Sequence, residues 1–176
     1  AIWLTGETWF RVPDSIGIHL SGTLRGGVEA KDLALSYVNR LGMDGGTYCA
    51  LEFIGEGVKN FPMDDRLTLC NLSVETGAKT GMFYADDVTV RYLASVGQKA
   101  GQQVPEPCAY RSELDFDLAD IVPLVAVSNR VDTVKPVQNL AGQSIDQVFI
   151  GTCTNGRYSD LVRLAKIVKG RKVAVR

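Results

Sequence analysis

The chain has 176 residues, 45% of them hydrophobic and 22% charged, with a net charge of −1. It is long enough to bury a real core as one domain or two small lobes, and nothing in the balance advertises nucleic acid or a membrane surface. No apolar run approaches the roughly 18 residues a spanning helix needs. The opening AIWLTGETWF has neither the basic start nor the cleavage site of a signal peptide; lacking an initiator Met, it reads as cut from a longer chain.

Strand and helix alternate along the chain. Ser15–Gly22 alternates apolar and polar residues, the pattern of a strand with one solvated face. Glu29–Gly42 carries Leu33, Ala34, Tyr37, Val38 and Leu41 at helical spacing, with Gly42 placed to stop it. Asp44–Thr47 is a turn, and Tyr48–Gly55 reads as a buried strand. The segment MDDRLTLCNLSVETG opens with acidic residues suited to a helix N-terminus and ends at Gly77. KTGMFYA is a short strand; Asp87 is placed to cap a helix over Val88–Val96 that stops at Gly97. GQKAGQQVPEP is a linker or long loop, and Tyr110–Asp120 alternates strictly as a strand. Val127–Gln143 reads as an irregular crossing segment. DQVFIGT then predicts a strand, Ser159–Lys169 a helix stopped by Gly170, and KVAVR a further strand, together a parallel βαβ unit.

The four cysteines, Cys49, Cys70, Cys108 and Cys153, are widely spaced with no Cys-x-x-Cys pair. Cys49 and Cys70 lie in apolar runs and read as small core residues. Cys108 sits in a loop with no assignable role. This usage suits a reducing, cytoplasmic environment.

Cys153 stands apart, in the small polar turn GTCTNGRYSDL between the expected strand and helix. The carboxyl edge of an α/β sheet is where ligands bind, and a helix N-terminus favours a thiolate. A nucleophile needs a base within reach, and the lone histidine, His19, lies on an alternating strand and is no credible partner. That leaves a metal ligand or a structural thiol. Gly151, Thr152, Thr154 and Gly156 would let a bulky group approach the backbone, yet an iron–sulfur cluster needs about three or four thiolates. Asn71 and Glu75, four residues apart, share one face of the expected helix. An amide and a carboxylate there can orient a hydroxyl or water and exchange its proton; a plain solvated face has the same spacing.

Taken together, FIGTCTNGRYSDL, DGGTYCALEFIGEGVKNFPMDDRLTLCNLSVETGAKTGMFYADD, TGETWFRVP and AKDLALSYVNRLGMDGGT resemble the aconitase superfamily, and within it the isopropylmalate dehydratase and homoaconitase branch. The resemblance runs from about Thr5 to Gly170. It implies aconitase-like three-layer α/β/α lobes with mixed or parallel sheets, truncated at both ends. Residues 1–103 would form one lobe, 104–140 a connecting strand and crossing segment, and 141–176 the start of the next lobe. It implies that Cys153 is the first ligand of a 4Fe-4S cluster, with the other two in a later Cys-x-x-Cys pair beyond Arg176. It makes Glu75 the carboxylate that handles the migrating hydroxyl or water, and Asn71 an amide beside cluster and substrate. The implied reaction is dehydration and rehydration of a small hydroxy acid, 2-isopropylmalate to 3-isopropylmalate in leucine biosynthesis, with homocitrate, methylmalate or citrate as alternatives. The implied partner is a small subunit carrying the swivelling domain and a serine base, and the piece by itself would be inactive. Ser128, Asn129 and Arg130 depart from the histidine-containing turn expected of many relatives. A thiol enzyme lacks its base. RNA binding rests only on the basic residues Lys166, Lys169, Arg171, Lys172 and Arg176, a pattern more usual on a solvated face.

Overall fold

The computed structural model describes residues 2–104 and 108–172. Its centre is a four-stranded sheet, every pair parallel, in the order β3-β2-β1-β4. The strands are β1 (Asp14–Ser21), β2 (Cys49–Ile54), β3 (Thr80–Phe83) and β4 (Ser112–Asp117). The helices are α1 (Ile2–Thr5), α2 (Ala30–Leu41), α3 (Met63–Leu72), α4 (Asp87–Ser95) and α5 (Tyr158–Val168). The α/β class expected from alternation is what the chain adopts.

The core lies between one sheet face and the two crossover helices. Ile16, Ile18 and Leu20 of β1 and Leu51 and Phe53 of β2 meet Leu33, Ala34, Tyr37 and Val38 of α2 and Leu69 and Leu72 of α3. Helical spacing on α2 and α3 and period-2 spacing on the strands thus point at one interior. α2 begins in a capping box of Glu29 and Asp32, and Gly42 ends it at φ 71°. α3 continues as a 3-10 turn, Ser73–Thr76, closed by Gly77 in the left-handed region.

The other sheet face is polar. Glu52, nearly buried, accepts hydrogen bonds from Ser15, Tyr84 and Tyr110, and His19 pairs with Glu113. Gly17 leaves room there for the Tyr110 ring, which a Cβ would meet at 3.1 Å. His19, Glu113 and Met82 keep that face solvated, so the second helical layer of a three-layer lobe does not cover these positions among the described residues.

Several expectations are corrected. Asp86, not Asp87, caps α4, accepting from the backbone N–H of Val88 and Thr89. Two adjacent aspartates are equivalent in composition; Asp86 is selected because the buried guanidinium of Arg66 binds it. β4 is shorter than Tyr110–Asp120, its end turning into a 3-10 helix at Leu118–Asp120. It pairs in parallel with β1. The crossing segment is not wholly irregular: β5 (Leu124–Ala126) and β6 (Val134–Pro136) form an antiparallel hairpin. Cys70 is half-buried rather than a core residue. No strand forms over DQVFIGT, and Val148, Phe149 and Ile150 are exposed. A strand needs a neighbour to satisfy its backbone, and that segment has none among the described residues. The closing βαβ unit is therefore not formed there; all of the expected KVAVR strand after Lys172 lies outside the described residues. The Gly97–Pro107 loop is described only as far as residue 104.

Candidate functional site: a cysteine turn on the outer face of α3

α3 leaves the carboxyl edge of the sheet and runs back along it. Asp64, Thr68 and Asn71 stand at helical spacing on one face, and Glu75 extends the row into the 3-10 turn. Asp64 to Asn71 spans about 10 Å at 1.5 Å per residue. The turn carrying Cys153 is laid along this row.

Thr154 Oγ1 donates to Asn71 Oδ1 at 2.6 Å. Arg157 Nη1 donates to the Thr154 carbonyl at 2.8 Å and to Thr68 Oγ1 at 3.1 Å. Asn155 Nδ2 reaches the same hydroxyl at 3.4 Å, and Ser159 Oγ donates to Asp64 Oδ2 at 2.6 Å. Within the turn, Thr152 N–H donates to the Asn155 carbonyl at 2.7 Å. One residue further along α5, Asp160 accepts from the Arg157 N–H at 3.0 Å and closes the helix start. Arg163 then bridges Glu29 at 2.8 Å and approaches Asp65 at 3.8 Å. Burial raises the Asp65 carboxyl, with Arg163 opposing the shift and Glu29, Asp160 and Asp64 adding to it.

Cys153 itself is exposed, between Gly151 at φ 110° and Gly156. A Cβ on Gly151 would meet nothing within 4 Å, so the approach to the turn is open there. Asn71 is exposed; its Oδ1 is pinned by Thr154, while its amide hydrogens have no partner among the described residues. Glu75, half-buried, carries no hydrogen bond or ion pair among the described residues. It is near enough to the buried Tyr37 hydroxyl to add to the upward shift that burial imposes on it. The acceptor Asn155 Oδ1 is buried without a partner among the described residues.

The structure thus brings Asn71 to the residue next to Cys153 and sets Glu75 on the same row. His19 is engaged elsewhere, with Glu113 across β4. Cys108 is exposed, and Lys166, Lys169, Arg171 and Lys172 form a solvated stretch. Thr68, Arg157 and Asp64 were not among the residues expected from the sequence, and Thr154 was expected only as a small neighbour of Cys153. Their only signal is the spacing of Asp64, Thr68 and Asn71, which marks a face but not what meets it.

As a metal site, the turn offers one accessible thiol, Cys153, with small neighbours. Among the described residues no group of three or more His, Cys, Asp or Glu side chains is placed to hold a metal ion. The donor set fits one ligand of a cluster, not a complete site. Among the described residues no helix is long and apolar enough to cross a membrane.

Comparison with known proteins follows the same residues. The chain is 44% identical over 171 residues to the 3-isopropylmalate dehydratase large subunit 2 of Archaeoglobus fulgidus, covering 96% of this chain and 41% of that one. It is 45% identical over 170 residues to the 3-isopropylmalate dehydratase large subunit of Nitratidesulfovibrio vulgaris, covering 96% and 41%. It is 42% identical over 183 residues to the methanogen homoaconitase large subunit of Methanocaldococcus jannaschii, covering 98% and 43%. The chain therefore spans about two fifths of the length of these relatives. The profile of the aconitase family (aconitate hydratase) matches residues 1–143. With most of its length matched in this way, the chain belongs to the aconitase family.

Proposed function

We propose that the chain is part of the large subunit of an iron–sulfur hydro-lyase that converts 2-isopropylmalate to 3-isopropylmalate by dehydration and rehydration. The observation that carries this reading is the hydrogen bond from Thr154 to Asn71, which joins the Cys153 turn to the Asn71–Glu75 row. Cys153 would be one thiolate ligand of a 4Fe-4S cluster, the remaining ligands coming from elsewhere in the protein. When bound, such a cluster supplies an open iron as Lewis acid toward hydroxyl and carboxylate oxygens.

The chain's own residues then have separable tasks. Asn71, its carbonyl end held by Thr154, offers its amide hydrogens to a substrate oxygen. Glu75, with no hydrogen bond or ion pair among the described residues, exchanges a proton with the leaving and returning hydroxyl. The base that removes the carbon-bound proton would come from a small subunit with the swivelling domain. Four free thiols suit work in the cytoplasm.

Homocitrate is the second substrate reading, because a relative of comparable identity is named a homoaconitase large subunit. The test is hydration by the full-length subunit, reconstituted with its small subunit, of the alkenes derived from isopropylmalate, homocitrate, methylmalate and citrate. Isopropylmalate should be the preferred product, and Glu75→Gln should lower kcat by about 10²–10⁴-fold, the range of general acid–base catalysis. Preference for homocitrate would replace the substrate reading. Full activity of Glu75→Gln would remove that residue from the chemistry.

A further inference from the structure

One group in the site remains without an assigned task. Arg157 sits at the start of α5, half-buried, and its guanidinium is not spent on a surface ion pair alone. One nitrogen, Nη1, is shared between the Thr154 carbonyl at 2.8 Å and Thr68 Oγ1 at 3.1 Å, while Nε stands 3.8 Å from Asp64. A charged donor on a backbone carbonyl is among the stronger neutral-acceptor hydrogen bonds. The bonded carbonyl belongs to the residue whose hydroxyl pins Asn71 and whose neighbour is Cys153. No residue of α5 is buried.

We propose that Arg157 is a positioning residue: through the Thr154 carbonyl and Thr68 it latches the Cys153 turn to α3, setting Cys153 and Asn71 at a fixed separation. The latch rests on the reading of Cys153, Asn71 and Glu75 as one site. Thr68 is its second half. The Thr68 hydroxyl accepts from both Arg157 and Asn155, so Arg157→Ala and Thr68→Val share the loss of the Arg157–Thr68 contact, while each leaves one other tie of the turn in place. A lysine reaches one acceptor as a point charge but cannot present the planar fork, and restores the latch only in part.

The test uses the full-length subunit. In the metal-free protein, hydrogen exchange is followed in the peptide spanning Gly151–Arg157, with the α2 peptide as internal control. Arg157→Ala and Thr68→Val should each speed exchange of the turn about tenfold, the loss of one charge-assisted hydrogen bond. The double variant should be faster than either but by less than the product of the two effects, because the Arg157–Thr68 bond is lost in both; Arg157→Lys should be intermediate, and α2 should not change. After cluster reconstitution, iron should leave Arg157→Ala faster than wild type by a similar factor. Unchanged exchange in the turn, or additive effects in the double variant, would overturn the latch. If Arg157→Ala fails to fold, seen as α2 losing protection, Thr68→Val decides alone. The exchange arm reads the latch whether or not a cluster binds, whereas failure of the cluster reading appears as absence of iron in wild type.

Discussion

Arg66 is the most buried charge in the described structure, 1% exposed, and its partners explain how it is tolerated. Asp86 takes two of its hydrogen bonds at 2.7 Å each, and the carbonyls of Phe61 and Val58 take others at 3.0 and 3.2 Å. Removing one partner of such a pair leaves an uncompensated buried charge, which costs about 3–5 kcal/mol. Asp86→Ala, which also loses the α4 cap, should lower stability in urea unfolding by about that amount; Asp86→Asn, which keeps the cap, should cost less. The hydrogen bonds from Arg66, with smaller help from the α4 backbone, hold the Asp86 carboxyl below its ordinary value. A depressed folded pKa contributes stability above the unfolded value, near 3.9, that is lost as pH falls through the folded one. Asp65, raised by burial, works the other way: its contribution is complete below the ordinary carboxylate range and lost as pH rises through the raised value. Asp86→Asn should therefore flatten the acid limb of the stability curve, and an unchanged limb would contradict the pairing. Among the thiols, burial lifts Cys70 to about 11, while Cys153 is exposed. At neutral pH Cys153 should alkylate well before Cys70, as peptide mass spectrometry would show.

At the scale of elements, two glycines mark where backbones meet. Gly55 ends β2 at φ 95°, and a Cβ there would lie 2.5 Å from the Leu20 carbonyl. Gly17 faces only a ring that can move. Gly55→Ala should thus destabilise by more than the roughly 1–3 kcal/mol of ordinary overpacking, and Gly17→Ala should fall within or below that range. Thermal unfolding that ranks them in the opposite order would contradict the strand geometry. β1, α2, β2, α3 and β3 were legible in the sequence because each has its packing partner nearby in the chain, so periodicity and environment agree. The β5–β6 hairpin was not, since its strands are three residues long and half-buried, too short to alternate visibly. The apolar run at 148–150 misled in the other direction. Periodicity reports what a segment can bury, not whether a neighbour exists to bury it. The site was legible to a different degree again: Cys153, Asn71 and Glu75 stand out by family resemblance, but the network of Thr154, Thr68 and Arg157 joins residues 83 to 89 positions apart and is written only in the fold.

For the whole molecule, the chain carries one lobe, with its sheet, crossover helices and the Asn71–Glu75 row, and the turn of Cys153 docked on it through polar contacts. Cys153 is the one thiol that the proposed function assigns to a cluster, and no group of three or more His, Cys, Asp or Glu side chains is placed to hold a metal ion among the described residues. On the proposed function, in which Cys153 is one cluster ligand among several, the 176-residue chain by itself should show no hydratase activity. The proposed function turns on whether Cys153 holds iron. The most direct measurement is anaerobic iron–sulfur reconstitution of the full-length subunit in wild-type and Cys153→Ala forms, following iron content and the visible absorbance of the cluster. The account predicts a cluster in wild type that is lost or incomplete in Cys153→Ala, with the secondary structure of both proteins the same. Equal iron in both forms, or none in wild type, would contradict it.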